Sequence, residues 1–300
     1  MGAGYAIKRP KPLDVKVPKP KFVGALCESM ARMALETITL AFQESGSGPP
    51  LVFLSGLGGD HRAFLAASQH FARRFRVILP DHRDSGNSPR AQHDYTTIDM
   101  AHDLAALLDR LDAGPAVLIG HSLGGMVAQQ FAVHYPDRVR GLVLASTYPG
   151  GDPWRSALVE SWITLRTRAT APEFTRATLP WLVSRRFYQS SPDQVEGLIR
   201  FVERGDLPQP PEAFVRQARA AMTHDCRHTL PGCLIPSLVL VGDDDIVNPP
   251  ACARELAAIL PNSTLKTLPG VGHLPHVEAG KAFREAISEF LHTLPGDQNS

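Results

Sequence analysis

The chain has 300 residues, a formal net charge of +1 and 43% hydrophobic residues, enough apolar side chains to bury one large core. So balanced a charge gives no global field to select nucleic acid or an acidic surface, and no zinc-finger spacing, RNA-binding aromatic signature or basic helix changes that. No apolar run approaches the roughly 20 residues of a membrane helix, so no membrane insertion is expected.

Residues 1–35 read as a basic, proline-rich tail. Lys8, Arg9, Lys11, Lys16, Lys19, Lys21 and Arg32 face only Asp14 and Glu28, while Pro10, Pro12, Pro18 and Pro20 favour extended chain. Prolines stand where a signal peptide would carry its apolar core. Cys27, Cys226, Cys233 and Cys252 are dispersed without C-x-x-C spacing, so reduced thiols are the default, and a Cys226–Cys233 bridge has no positive support. Together these predict a cytoplasmic protein.

The first part of the core is expected over 36–149, opening with an alternating strand at Thr37–Phe42. Leu51–Leu54 is apolar throughout, as a strand covered on both faces should be. Helical sequence follows at Ala63–Arg73, then a strand at Val77–Leu79. Ile98–Leu111 is amphipathic, with Met100, Leu104, Leu107, Leu108 and Leu111 on one stripe. Strands at Ala116–Ile119 and Gly141–Ala145 bracket a helix over Gly125–Ala132. Helices between apolar strands imply right-handed crossovers and a parallel sheet.

The rhythm breaks over 150–232. Helices fit Ser156–Arg168, Glu173–Val183, Asp193–Arg204 and Glu212–Met222, and no strand is evident. This segment is expected to be a helical lid over the carboxyl ends of the strands. Its eleven arginines face nine acidic residues, and Arg155, Arg166, Arg168, Arg185 and Arg186 are candidates to bind a substrate carboxylate. Alternation resumes over 233–294 with strand Ser237–Val241, helix Ala251–Ile259, strand Thr264–Leu268 and helix Ala282–Leu294. Residues 295–300 are a short tail.

Gly120-His121-Ser122-Leu123-Gly124 lies between a strand and a helix, the setting of a nucleophile elbow. The alternative is an ordinary turn with Ser122 capping the helix. A serine hydroxyl needs a base and a group to orient that base. Gly242-Asp243-Asp244-Asp245 follows one late strand, and Gly270-Val271-Gly272-His273 precedes the last helix. Any of the three aspartates could supply the acid, and His276 is a rival to His273. One oxyanion donor is expected at the amide of Leu123, the other in the loop Ser55-Gly56-Leu57-Gly58-Gly59. That loop lacks the Gly-Lys-Ser/Thr ending of a phosphate loop. His61, His82, His121, His273 and His276 lie in different kinds of turn, so neither metal nor cofactor is expected.

These residues resemble the α/β-hydrolase fold superfamily over about 36–294. The matching motifs are Leu54–Gly58, Asp81-His82-Arg83-Asp84-Ser85-Gly86-Asn87-Ser88, Gly120–Gly125, Gly242–Pro249 and Gly270–Glu278. The resemblance implies a mostly parallel sheet flanked by helices with an inserted helical lid. It implies Ser122 as nucleophile, Asp245 as acid, His273 as base, and the amides of Leu57 and Leu123 as oxyanion donors. Three departures stand out. Ser55 replaces the usual histidine before the oxyanion loop, Asp84 replaces a usual glycine, and Glu278 is followed by Ala279-Gly280 rather than the frequent x-Pro. The late region is most similar in style to 3-oxoadipate enol-lactonases and related small serine esterases. The implied activity is acyl-enzyme hydrolysis of a small-molecule carboxylic ester or lactone. Carbon–carbon bond hydrolysis of ring-cleavage products, perhydrolysis and a non-catalytic ligand-binding or receptor role are the alternatives. Oligomeric state is left open.

Overall fold

The computed structural model describes residues 38–205, 207 and 209–295. The expected tails lie outside them, apart from Pro295.

Apolar runs that read as doubly covered strands form the middle of a seven-stranded sheet. Its members are β1 (Phe42–Ser45), β2 (Pro50–Leu54), β3 (Arg76–Pro80), β4 (Ala116–His121), β5 (Val139–Ala145), β6 (Ser237–Gly242) and β7 (Ser263–Leu268). Their order is β1-β3-β2-β4-β5-β6-β7, with β1 antiparallel to β3 and every other pairing parallel. The fold is thus an α/β-hydrolase fold.

Alternate residues of the central strands enter two buried layers, as a period of two requires. Val52, Leu54, Leu118, Leu142 and Leu144 pack with helices α2 (Thr97–Arg110) and α3 (Leu123–His134). Leu51, Phe53, Val117, Ile119 and Val143 pack with Phe71, Phe75 and the carboxy-terminal helix. Helix α2 starts where the sequence signals it, with a capping box between Thr96 and Asp99. Gly124 lets α3 seat directly on the sheet, since a Cβ there would drive into the carbonyl of Leu54.

Two elements differ from expectation. The first ladder begins at Phe42 rather than over Thr37–Phe42. The described backbone before it bonds to side chains instead, with Ile38 N–H on Asp103 Oδ1 (2.8 Å) and Ala41 N–H on Ser88 Oγ (2.9 Å). The expected helix over Ala63–Arg73 is a 3₁₀ turn at His61–Phe64, a single α-turn, α1 (Leu65–Ser68), and then turns. Those turns bury Phe64, Phe71 and Phe75 together, so tertiary packing overrides helix propensity.

Between β5 and β6 lie α4 (Pro153–Arg166), α5 (Ala171–Leu182), α6 (Arg185–Ser190), α7 (Pro192–Glu203) and α8 (Pro211–Met222). Asp152, Thr170 and Ser184 cap the first three, and Pro153, Pro192 and Pro211 stand in first turns, where no amide donor is needed. Helix α6 was not signalled by periodicity, being six residues long. After β6 come α9 (Pro250–Ile259), α10 (Pro275–Glu278) and α11 (Gly280–Thr293). Cys226, Cys233 and Cys252 are free and buried.

Candidate active site

Ser122 sits at φ 51° and ψ −116°, between the end of β4 and the start of α3. A non-glycine residue holds that conformation only where its surroundings enforce it. Here Ser122 N–H donates to Ala145 O (2.9 Å), and Thr147 Oγ1 donates to Ser122 O (2.8 Å). The Ser122 side chain makes no capping bond to its helix, which removes the ordinary-turn alternative.

Ser122 Oγ lies 3.1 Å from His273 Nε2, and His273 Nδ1 lies 2.9 and 3.1 Å from the two oxygens of Asp245. Asp245 and His273 are both buried. Asp245 Oδ1 also accepts the amides of Val247 (3.0 Å) and Asn248 (2.8 Å), so backbone bonds fix the carboxylate. A carboxylate at Nδ1 keeps the proton on that nitrogen and leaves Nε2 as the acceptor facing Ser122. Of the rival aspartates, Asp244 is exposed, and Asp243 accepts Gly270 N–H (2.5 Å) to close the neighbouring turn.

The histidine loop is held from three sides. His273 N–H donates to Leu182 O (3.0 Å), His121 Nε2 to His273 O (2.7 Å), and Glu278 accepts the amides of Gly272 (3.0 Å) and Ser184 (2.9 Å). His276, the rival base, is half-buried elsewhere, its Nδ1 enclosed and its ring 4.7 Å from Phe64 and 4.9 Å from His121. Burial pushes the His276 imidazole down to about 3, helped by the charge His273 can carry. Burial likewise holds His121 well below the ordinary histidine range. Both are neutral neighbours of His273.

Gly56 brings the loop after β2 against the elbow. A Cβ there would lie 3.3 Å from Ser122 Cβ and 2.9 Å from His121 Nδ1. Leu57 is the next residue. Leu123 opens α3, so its amide has no acceptor within its own helix. Beside this loop the Leu57 side chain meets an apolar cluster from the inserted helices, centred on Val159, Phe214 and Ala218.

Among the described residues, Asp60, His61 and Asp81 bring potential metal ligands within 4.8 Å of one another. Their donor atoms are already engaged. Asp60 chelates Arg62, while Asp81 accepts His61 N–H (2.7 Å), Asn87 N–H (2.9 Å) and the His61 ring (2.8 Å). This set ties the 81–88 turn to the core.

The family model for the alpha/beta hydrolase fold matches residues 49–280. The chain belongs to the α/β-hydrolase family. A thermophilic esterase from Thermogutta terrifontis is 32% identical, with a TM-score of 0.76, over 85% of this chain and 93% of that one. RutD of Caulobacter sp. (strain K31), provisionally named a carbamate hydrolase, is 28% identical over 85% of this chain and 97% of its own. The enol-lactonase from Burkholderia xenovorans LB400 shares the fold at 24% identity and a TM-score of 0.77, over 85% of this chain and 97% of that one.

In this α/β-hydrolase two of the candidate carboxylate-binding arginines are already engaged. Arg155 pairs with Asp152 (2.7 Å) and donates to Cys252 Sγ (2.9 Å), and Arg166 donates to Gln209 O (2.5 Å). Arg168, Arg185 and Arg186 are exposed.

Buried histidines also set an acid limit on stability. Burial lowers His82 and His224 to about 4 and His276 to about 3, from 6.5 when unfolded. The unfolded chain therefore binds these protons first, so the stability they confer is complete above about 6.5 and is lost as pH falls toward about 4. Each can contribute up to about 1.4 kcal/mol per pH unit within that window. Urea midpoints measured between pH 7 and pH 4.5 are expected to fall steadily. A flat profile would contradict the buried neutral assignment.

Proposed function

We propose that the protein is a cofactor-independent serine hydrolase of carboxylic esters or lactones, with residues 150–232 as the lid over its pocket. The observation that carries this reading is the hydrogen-bonded chain Ser122–His273–Asp245 at a strained strand-to-helix turn. Ser122 Oγ attacks the carbonyl while His273 Nε2 takes its proton. Asp245 holds the ring and stabilises the imidazolium. The amides of Leu57 and Leu123 receive the negative charge that develops on the carbonyl oxygen. His273 then protonates the leaving alcohol or enol, and later deprotonates the water that releases the acid and restores Ser122. The esterase relative, at 32% identity, supports the ester class. A cytoplasmic location goes with this reading, supported by the free thiols of Cys226, Cys233 and Cys252.

The substrate's acyl part is neutral and apolar. The arginines buried among the described residues are Arg83, Arg155 and Arg166, and each has a partner of its own: Asp103, Asp152 and the Gln209 carbonyl. The cluster beside Leu57 adds Trp162, Ile163, Phe174 and Met222 around Val159 and Phe214. An anionic acyl group would lose its hydration there without a counter-charge. The test compares kcat/KM for neutral p-nitrophenyl esters, lactones, carboxylate-bearing lactones and carbon–carbon cleavage substrates. Neutral esters or lactones are expected to exceed their anionic counterparts by at least about 10-fold, the loss from one poorly solvated group. Anionic lactones turned over faster would refute the neutral-substrate assignment. Carbon–carbon cleavage faster than every ester and lactone would refute the reaction class.

A further inference from the structure

Two of the departures from the family pattern, Ser55 and Asp84, lie beside one buried network. Ser55 occupies the position where the family usually has histidine, and its Oγ is buried without a partner among the described residues. The Ser55 hydroxyl therefore gives the loop that carries Leu57 no tether. The loop's start is bonded through the Ser55 backbone to the His82 ring, and its far end is tethered from the inserted helices: Gly58 N–H donates to Gln217 Oε1 (3.1 Å) on α8.

Gln217 is fully buried and uses its whole amide. Oε1 also accepts from Gln209 Nε2 (3.1 Å), while Nε2 donates to Arg83 O (3.0 Å) and Ser85 Oγ (2.8 Å). Flipping the amide would aim donors at donors, so one orientation is selected. Asp84 anchors the preceding residue of the same helix. Asp84 is fully buried at φ 67°, a left-handed position that suits glycine but also admits aspartate. Its carboxylate takes a two-pronged bond from Arg216, Nε to Oδ2 at 2.9 Å and Nη2 to Oδ1 at 2.8 Å. Its carbonyl accepts Gln209 Nε2 at 3.0 Å.

We propose that Gln217 is a positioning residue that sets the oxyanion loop from the lid, with the Asp84–Arg216 pair locking its helix in register. The inference rests on the reading of Leu57 as an oxyanion donor. Leu57 lies between Gly56, pressed against the elbow, and Gly58, held by Gln217. Small displacements of an oxyanion amide act on the transition state more than on the bound substrate. The catalytic centre is therefore complete only when α8 is seated on the 81–88 turn, so lid position and turnover are coupled.

The experiment uses the full chain with Gln217→Leu, which keeps the side chain's bulk and removes its bonds, and Asp84→Gly, which keeps the left-handed turn and frees Arg216. A fluorophosphonate counts live Ser122 sites, and kcat and KM for a neutral ester are expressed per labelled site. An alkylboronic acid, which adds to Ser122 and places an oxygen in the oxyanion position, reports the hole directly. Gln217→Leu is expected to lower kcat per site about 30-fold with KM within twofold, a misplacement effect rather than loss of a donor. The boronic acid should weaken by the same factor, and the pH midpoint of kcat/KM should stay in place. Asp84→Gly should shift kcat and boronate affinity the same way by about 5-fold, since Gln217 keeps its bonds. A per-site kcat within twofold of wild type in Gln217→Leu would overturn the inference. So would a loss seen only in the number of labelled sites, which marks a purely structural role. If Gln217→Leu does not fold, an unchanged per-site kcat in Asp84→Gly overturns it. Failure of the serine-hydrolase reading beneath it looks different: wild-type protein would neither label nor hydrolyse.

Discussion

Ser122→Ala is expected to lower kcat for an activated neutral ester by at least about 10,000-fold while leaving the fold intact, because members of such a triad act as a unit. The hydroxyl contributes little to stability. It makes no capping bond, and among the described residues its one side-chain partner is His273 Nε2 at 3.1 Å. The strained backbone at φ 51° is held by main-chain and Thr147 bonds that alanine keeps. Melting temperature should therefore move by no more than about 2 °C, as for a substitution worth a few tenths of a kcal/mol. Fluorophosphonate labelling should vanish with the rate. A variant that keeps a tenth of wild-type turnover would show that another group attacks the carbonyl. A variant that loses activity only by unfolding would leave its melting curve as the witness. Residual hydrolysis through the oxyanion amides alone sets the floor below which no further loss is expected.

Strong local signals account for the parts of this molecule that could be read in advance. Leu51–Leu54 and Leu142–Ala145 are apolar on both faces because helices cover both faces of the sheet. The elbow was legible because strand, glycine-flanked serine and helix are contiguous. The acid was less so. Asp243, Asp244 and Asp245 are adjacent in one turn, and only the path of the backbone decides that Asp245 is buried against His273 while the other two face solvent. The resemblance to a family pattern made that choice; of the three, Asp245 is the one whose carboxylate lies against the His273 ring. What escaped depends on partners far apart in the chain. The segment before Phe42 lacks a ladder because Asp103 and Ser88 take its amides. Gln217 looks like any polar residue on an amphipathic helix, yet its oxygen meets an amide 159 positions earlier. The one clue to that contact was negative: a histidine and a glycine that the family pattern expects are Ser55 and Asp84 here.

Asp245→Asn is expected to cost about 10,000-fold in kcat with the site's geometry preserved, the loss that follows when the base is held in the wrong tautomer. The direction of the effect comes from the backbone. Asp245 Oδ1 accepts the amides of Val247 and Asn248, and the asparagine oxygen must stay there to satisfy both. Its NH₂ group then takes the place of Oδ2, 2.9 Å from His273 Nδ1. Facing a donor, Nδ1 gives up its proton, and Nε2 carries one instead. A protonated Nε2 donates to Ser122 Oγ and cannot remove its proton, so attack stalls although every heavy atom is in place. Labelling by the fluorophosphonate should slow in parallel with ester turnover, while KM changes little because no substrate contact is lost. Asp244→Asn is the control: that side chain is exposed beyond the turn, and its kcat should stay within about twofold, as surface changes usually do. If Asp245→Asn retained a tenth of wild-type kcat, the buried carboxylate would be an anchor for the 245–248 turn and not the group that orients the base.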